Sequence, residues 1–222
     1  MSPPAAPADA SAVPAAAEWK DAARVALTEA RASIASRYDG GEGVERLLAA
    51  QAAAVDAAVR TAWAACVPAD AGLDLLATGG YGRGEQYPQS DVDLLVIGSA
   101  DAQQANEAAL GVFFAALWDL GLKPGSAVRS FADCAQAARE DVSTLTALIE
   151  ARLLAGSMTA LDGLEDALRV DGLWPAAEYF EAKRGEWRGR HARYNDTANN
   201  LEPNLKEGPG GLRDLHTLTW LA

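Results

Sequence analysis

The stretch Leu75–Ile97, LLATGGYGRGEQYPQSDVDLLVI, decides the fold. Two apolar runs, Leu73–Ala77 and Val92–Ile97, bracket a glycine-dense turn. Both are too short for helices and sit between turn signals, so they read as buried strands. Asp91 and Asp93 stand two positions apart at the head of the second run, and side chains two apart on a strand project to the same side. A carboxylate inside an apolar run costs free energy unless it is paired or metal-bound. Two converging carboxylates repel each other unless a cation neutralises them, and hard oxygen ligands suit Mg²⁺ or Mn²⁺. Gly79 and Gly80 directly follow the first strand, where the lack of a side chain lets backbone N–H groups approach a phosphate. Arg83 offers a planar fork for phosphate oxygens, and Ser90 a hydroxyl beside the acidic pair. The glycine spacing matches neither the P-loop nor the dinucleotide-binding fingerprint.

Helical patterns lie on both sides of this unit. Residues 1–17 are rich in proline, alanine and small polar residues and are expected to form a disordered tail. Two helices follow within 18–68, about Glu18–Tyr38 and Val44–Cys66, each ended by breakers. The core at 69–140 continues with a helix over Ala102–Leu120, a third strand at Ala127–Phe131 and a short helix at Ala135–Arg139. Helices over Val142–Ala155, Ala160–Arg169 and Pro175–Thr197 make 141–222 a helical subdomain that breaks off inside a further helix. The fold class is α/β: a small mixed sheet with flanking helices and a helical subdomain.

Composition narrows the function. The 222 residues carry a formal net charge of −12, which argues against a non-specific nucleic-acid binder. No run of apolar residues is long enough to span a membrane, and no signal peptide opens the chain. Cys66 and Cys134 form neither a disulfide framework nor a metal site, which points to a reducing, cytoplasmic location.

The pattern G-G-x-G-R-x-E followed by S-D-x-D-L resembles the polymerase-β-like nucleotidyltransferase superfamily. The segment Asn200–Asp214, NLEPNLKEGPGGLRD, with Thr144–Gly156, TLTALIEARLLAG, is similar to the bacterial PII uridylyltransferase/uridylyl-removing enzymes. That resemblance implies metal ligation by Asp91 and Asp93, with Mg²⁺ or Mn²⁺ as cofactor. It implies nucleotide contacts from Gly79, Gly80, Arg83 and Ser90, with Arg213 of the G-P-G-G-L-R-D box as a further substrate-binding candidate. It also implies transfer of UMP from UTP to a tyrosine of the PII signal protein. Removal of UMP and glutamine sensing are expected only of later domains. Two readings compete: transfer to a small-molecule hydroxyl, and a regulatory nucleotide-binding module without turnover.

Other features are less specific. A third carboxylate is expected on the strand near Ser126–Ser130, which has no acid. Asp133, Asp141 and Glu150 are substitutes, and the third ligand stays unassigned. The basic run Lys183–Tyr194 reads either as a solvated helix paired with Glu178, Glu181 and Glu186 or as a face that neutralises a triphosphate. His191 and His216 read as structural. The box Gly208–Asp214 reads equally as an anion-binding helix start and as a packing turn.

Overall fold

A computed structural model describes residues 12–169 and 173–221. The elements run, in order, α1 (Ala12–Asp39), α2 (Val44–Cys66), β1 (Leu73–Ala77), α3 (Gly79–Gly82), β2 (Val92–Gly98), α4 (Ala100–Ala105), α5 (Glu107–Asp119), β3 (Pro124–Arg129), α6 (Phe131–Glu140), α7 (Val142–Ile149), β4 (Arg152–Ala155), α8 (Thr159–Leu168), α9 (Ala176–Ala192) and α10 (Leu212–Leu221). Among the described residues no helix is long and apolar enough to cross a membrane.

The chain divides into two compact units. The first runs to Phe131 and takes in Glu150–Gly163; the second comprises Ala132–Ile149 and the chain from Leu164 on.

In the first unit the strands form one four-stranded sheet in the order β3-β2-β1-β4. β1 is antiparallel to β2 and to β4, whereas β2 and β3 are parallel. A parallel pair needs a long crossover, which α4 and α5 supply. Leu73, Leu75, Ala77, Val92, Leu94 and Val96 alternate onto one face and pack with Leu27, Val55, Val59, Phe113 and Leu117 from α1, α2 and α5. Trp63 meets Phe113 edge to face at 5.1 Å. The intervening Leu76, Leu95 and Ile97 are buried as well, so these strands lack the alternation of a half-exposed sheet.

The second unit is helical. The Trp174 indole N–H donates to the Ala138 carbonyl at 2.6 Å, tying the segment before α9 to α6. Lys183 is buried, donating to Glu186 and Thr146 with its ammonium 4.3 Å from the Trp220 ring centre.

Several elements depart from expectation. The helix expected over Val142–Ala155 stops at Ile149, and its last residues become β4. A helix and a buried strand are equally consistent with an apolar run, and here the free edge of β1 decides. The helix expected over Ala102–Leu120 is interrupted at Asn106, whose side-chain amide donates back to Ala102 O at 2.9 Å. The third strand begins at Pro124, earlier than expected, in register with β2. The glycine turn contains a single helical turn, α3. α1 begins at Ala12, within the expected tail; residues 1–11 of that tail lie outside the described residues.

Candidate active site

One end of the sheet gathers most of the candidate residues. β1 ends there at Ala77, opposite Leu94 and Arg152, while β2 and β3 begin there with Val92 opposite Pro124. The α3 turn, the acidic pair, Gly125 and Glu150 therefore share one edge. Asp91 immediately precedes β2 and Asp93 is its second residue; both are exposed although Val92 and Leu94 are buried. The Thr78 N–H donates to the Asp93 carbonyl at 3.0 Å, which fixes the start of the turn against the acidic strand.

Two glycines make room around Asp93. Gly79 has φ +56°, the left-handed conformation, and a Cβ there would lie 3.6 Å from Asp93 Oδ2. Gly80 is not left-handed, and a Cβ there would make only ordinary contacts, the nearest 3.6 Å to Arg83 Nη2. Gly125 faces Asp93 across the parallel pair, and a Cβ there would stand 2.5 Å from Asp93 Oδ1. The Asp93 carboxylate thus lies against Gly125, in the space a side chain would fill. Gly125→Ala is therefore expected to displace Asp93 and lower turnover by an order of magnitude or more, with a thermal midpoint close to wild type. Paired activity and melting measurements check this; full activity would show that the close approach of Asp93 to Gly125 is not needed.

Arg83 caps α3, and its guanidinium is held between two carboxylates. Nη1 donates to Glu150 at 2.6 Å, and Nε and Nη2 donate to Glu85 at 3.0 and 2.8 Å. Burial lowers its pKa, but Glu85 and Glu150 more than offset this, so its pKa is raised and the cation is secured. A phosphate would share Arg83 with these partners. Glu150 thus reaches the acidic edge in an ion pair. No group of three or more potential ligands converges on one point among the described residues.

Behind the turn lies a network that the sequence did not disclose. The Tyr81 hydroxyl donates to Asp56 Oδ1 at 2.8 Å, and Arg152 donates to both Asp56 oxygens at 2.6 and 3.0 Å. Arg152 also donates to the carbonyls of Gly82 and Tyr81, so α2 and β4 clamp α3 from behind. Burial, then the neighbouring Asp56, pushes the Tyr81 hydroxyl far above its ordinary pKa, so it stays a donor. The available signal was a charge set in each of two apolar runs, Asp56 alone in AAAVDAAV and Arg152 beside Glu150 in LIEARLLA.

Of the remaining candidates, Ser90 lies in the loop leading to Asp91, its N–H donating to Tyr87 O at 3.1 Å. Arg213 belongs to the second unit, where it contacts Glu207 at 3.4 Å and lies 5.5 Å from the Trp220 ring centre. The G-P-G-G-L-R-D box is a packed turn. Asp214 accepts from the Gly210 N–H at 2.8 Å, contacts His191 Nε2 at 2.9 Å and pairs with Arg190. The basic run is only partly a solvated face. Arg184 pairs with Glu181, but Lys183, Arg190 and His191 are buried.

Comparison with known proteins gives the relatives of this chain. Residues 59–146 match the family model described as a nucleotidyltransferase domain, and residues 178–222 match the model described as GlnD PII-uridylyltransferase. Proteins called bifunctional uridylyltransferase/uridylyl-removing enzyme are similar along nearly the whole chain. The one from Xanthomonas campestris pv. campestris (strain 8004) is 53% identical over 206 residues, 93% of this chain and 24% of its own length. Those from Xanthomonas oryzae pv. oryzae (strain MAFF 311018) and Stutzerimonas stutzeri (strain A1501) are 50% and 43% identical, over 93% and 89% of this chain and 24% and 22% of their own lengths. The chain thus spans about a quarter of the length of the curated relatives it matches. A nucleotidyltransferase domain is present, and the resemblance read from the two motifs extends well beyond them.

Proposed function

We propose, from that nucleotidyltransferase domain, that the chain catalyses transfer of UMP from UTP to a tyrosine hydroxyl of the PII signal protein, in the cytoplasm. The observation that carries this reading is the Asp91–Asp93 pair beside the α3 turn, combined with relatives named as uridylyltransferases. The tyrosine oxygen attacks the α-phosphorus of UTP; the bond to the β-phosphate oxygen breaks, pyrophosphate leaves and the phenolic proton is released.

The residues fit a divalent cation. Asp91 and Asp93 offer hard carboxylate oxygens on one side of the strand, with the Asp93 carboxylate lying against Gly125. A cation such as Mg²⁺ or Mn²⁺ held there supplies charge neutralisation at the reacting phosphate. The chain's own residues set the geometry. Gly79 and Gly80 open a helical turn whose leading N–H groups have no acceptor within the turn and suit phosphate oxygens. Ser90 directly precedes Asp91, and Arg83 caps the turn and holds Glu150 in place. Arg213 is assigned to substrate binding by resemblance alone.

The test is transfer of label from α-³²P-UTP to purified PII, resolved by gel. Label on wild-type PII, and none on a variant whose acceptor tyrosine is replaced by phenylalanine, is the expected result. Label on small alcohols and none on PII would replace this reading with transfer to a small-molecule hydroxyl. UTP binding without transfer would replace it with a nucleotide-binding module.

A further inference from the structure

A cavity of about 660 Å³ opens between α1, α2 and the loops 86–90 and 121–123; Ser90 is among its lining residues and no residue of α3 is. Its size lies in the range of small-molecule sites. Leu47, Leu48, Val55 and Val92 give it an apolar wall, on the side of β2 opposite to Asp93.

Two amides interrupt that wall. Gln51 is 7% exposed, and its side chain makes no hydrogen bond among the described residues. Gln86 is 2% exposed; its Nε2 donates to the Asp91 carbonyl at 3.2 Å, whereas its Oε1 has no partner among the described residues. A buried amide with unused capacity is costly in a finished core and is what a binding site offers to a ligand. The mouth carries Arg31 and Lys123, exposed and without ion pairs among the described residues, together with Asp39. Cations outnumber acids here, although the chain as a whole carries −12. An apolar interior, unused amides and a cationic mouth together describe an amphipathic acid.

We propose that this cavity binds a small organic anion with an apolar body, the body lying on Leu47, Leu48 and Val55 and the anionic group meeting Arg31 and Lys123. Gln51 serves a polar group partway along the ligand. Binding there touches the loop that delivers Asp91, because Gln86 joins the cavity wall to the Asp91 carbonyl.

The experiment is calorimetric titration of the intact chain with decanoate, and in parallel with 1-decanol, which shares the body and lacks the charge. Wild type should bind decanoate saturably with one site. Leu48→Trp fills the cavity and should weaken decanoate by about tenfold or more. Val44→Trp, at the exposed rim, should act in the same direction and covers the case in which Leu48→Trp fails to fold. Arg31→Ala with Lys123→Ala should weaken decanoate by roughly threefold or more and leave decanol unchanged. Absence of saturable decanoate binding, or full affinity in a folded cavity-filling variant, overturns the proposal. Equal losses for decanoate and decanol in the double variant overturn the anion assignment. None of these readouts depends on nucleotidyl transfer, so failure here is distinct from failure of the proposed reaction.

Discussion

Asp93→Asn is expected to lower nucleotidyl transfer by about three orders of magnitude or more. Its thermal midpoint should stay near that of wild type, because the Asp93 side chain is exposed and the bond that fixes the turn uses its backbone carbonyl. An amide keeps the shape and one acceptor oxygen but loses the charge that a hard cation needs. Asp91→Asn should behave alike. The check is a rate measurement at saturating UTP and Mg²⁺, with a melting curve on the same preparation. Near-normal transfer by either folded variant would remove the acidic pair from the mechanism.

Asp214→Ala should act on stability instead, costing the second unit about 3–5 kcal/mol. Arg190 is 3% exposed and its Nε has no partner among the described residues, so loss of Asp214 strands a buried cation. The substitution also frees the Gly210 N–H and the His191 contact. Denaturant unfolding followed by tryptophan fluorescence would measure the loss; Trp187 and Trp220 lie in this unit. A change under about 1 kcal/mol would mean that the cluster relaxes without cost. The pH dependence has a definite sign. Burial raises the Asp214 carboxyl, but the Gly210 N–H, His191 and Arg190 more than offset it and hold its pKa below the ordinary value. A depressed native pKa confers stability that is complete above the unfolded value, near 4, and is lost as pH falls through the native one. Wild type should therefore approach the variant in stability as the solution is acidified below about pH 4.

The sheet edge that carries the glycine turn and the acidic pair was legible because its signals are local. Glycines after one apolar run and alternating acids at the head of the next need no distant partner to be read. β4 was not legible, because Arg152–Ala155 is an apolar run whose strand state depends on β1 lying beside it. The Asp56–Tyr81–Arg152 clamp was hidden for the same reason: its members are separated by up to 96 positions, and nothing local marks them as partners. The Gly208–Asp214 box was visible as a turn, but its choice between anion site and packing turn waited on Arg190 and His191. Arg83 was singled out as a phosphate-binding candidate from its neighbours alone; of its two carboxylate partners Glu85 is two positions away, whereas Glu150 emerges only when it reaches the sheet edge.

β4 has a consequence for how the chain is made. During translation β1 and β2 can pair early, but β1 keeps an open edge until residues 152–155 leave the ribosome. By then the helical segment Ala132–Ile149, which belongs to the other unit, has already been synthesised. The nascent protein therefore carries an unpaired apolar strand through the interval, a hazard for edge-to-edge association. Release at Phe131 would leave that edge bare for good. The two units are interlaced in the order of their synthesis, and the first is finished only after part of the second has been written.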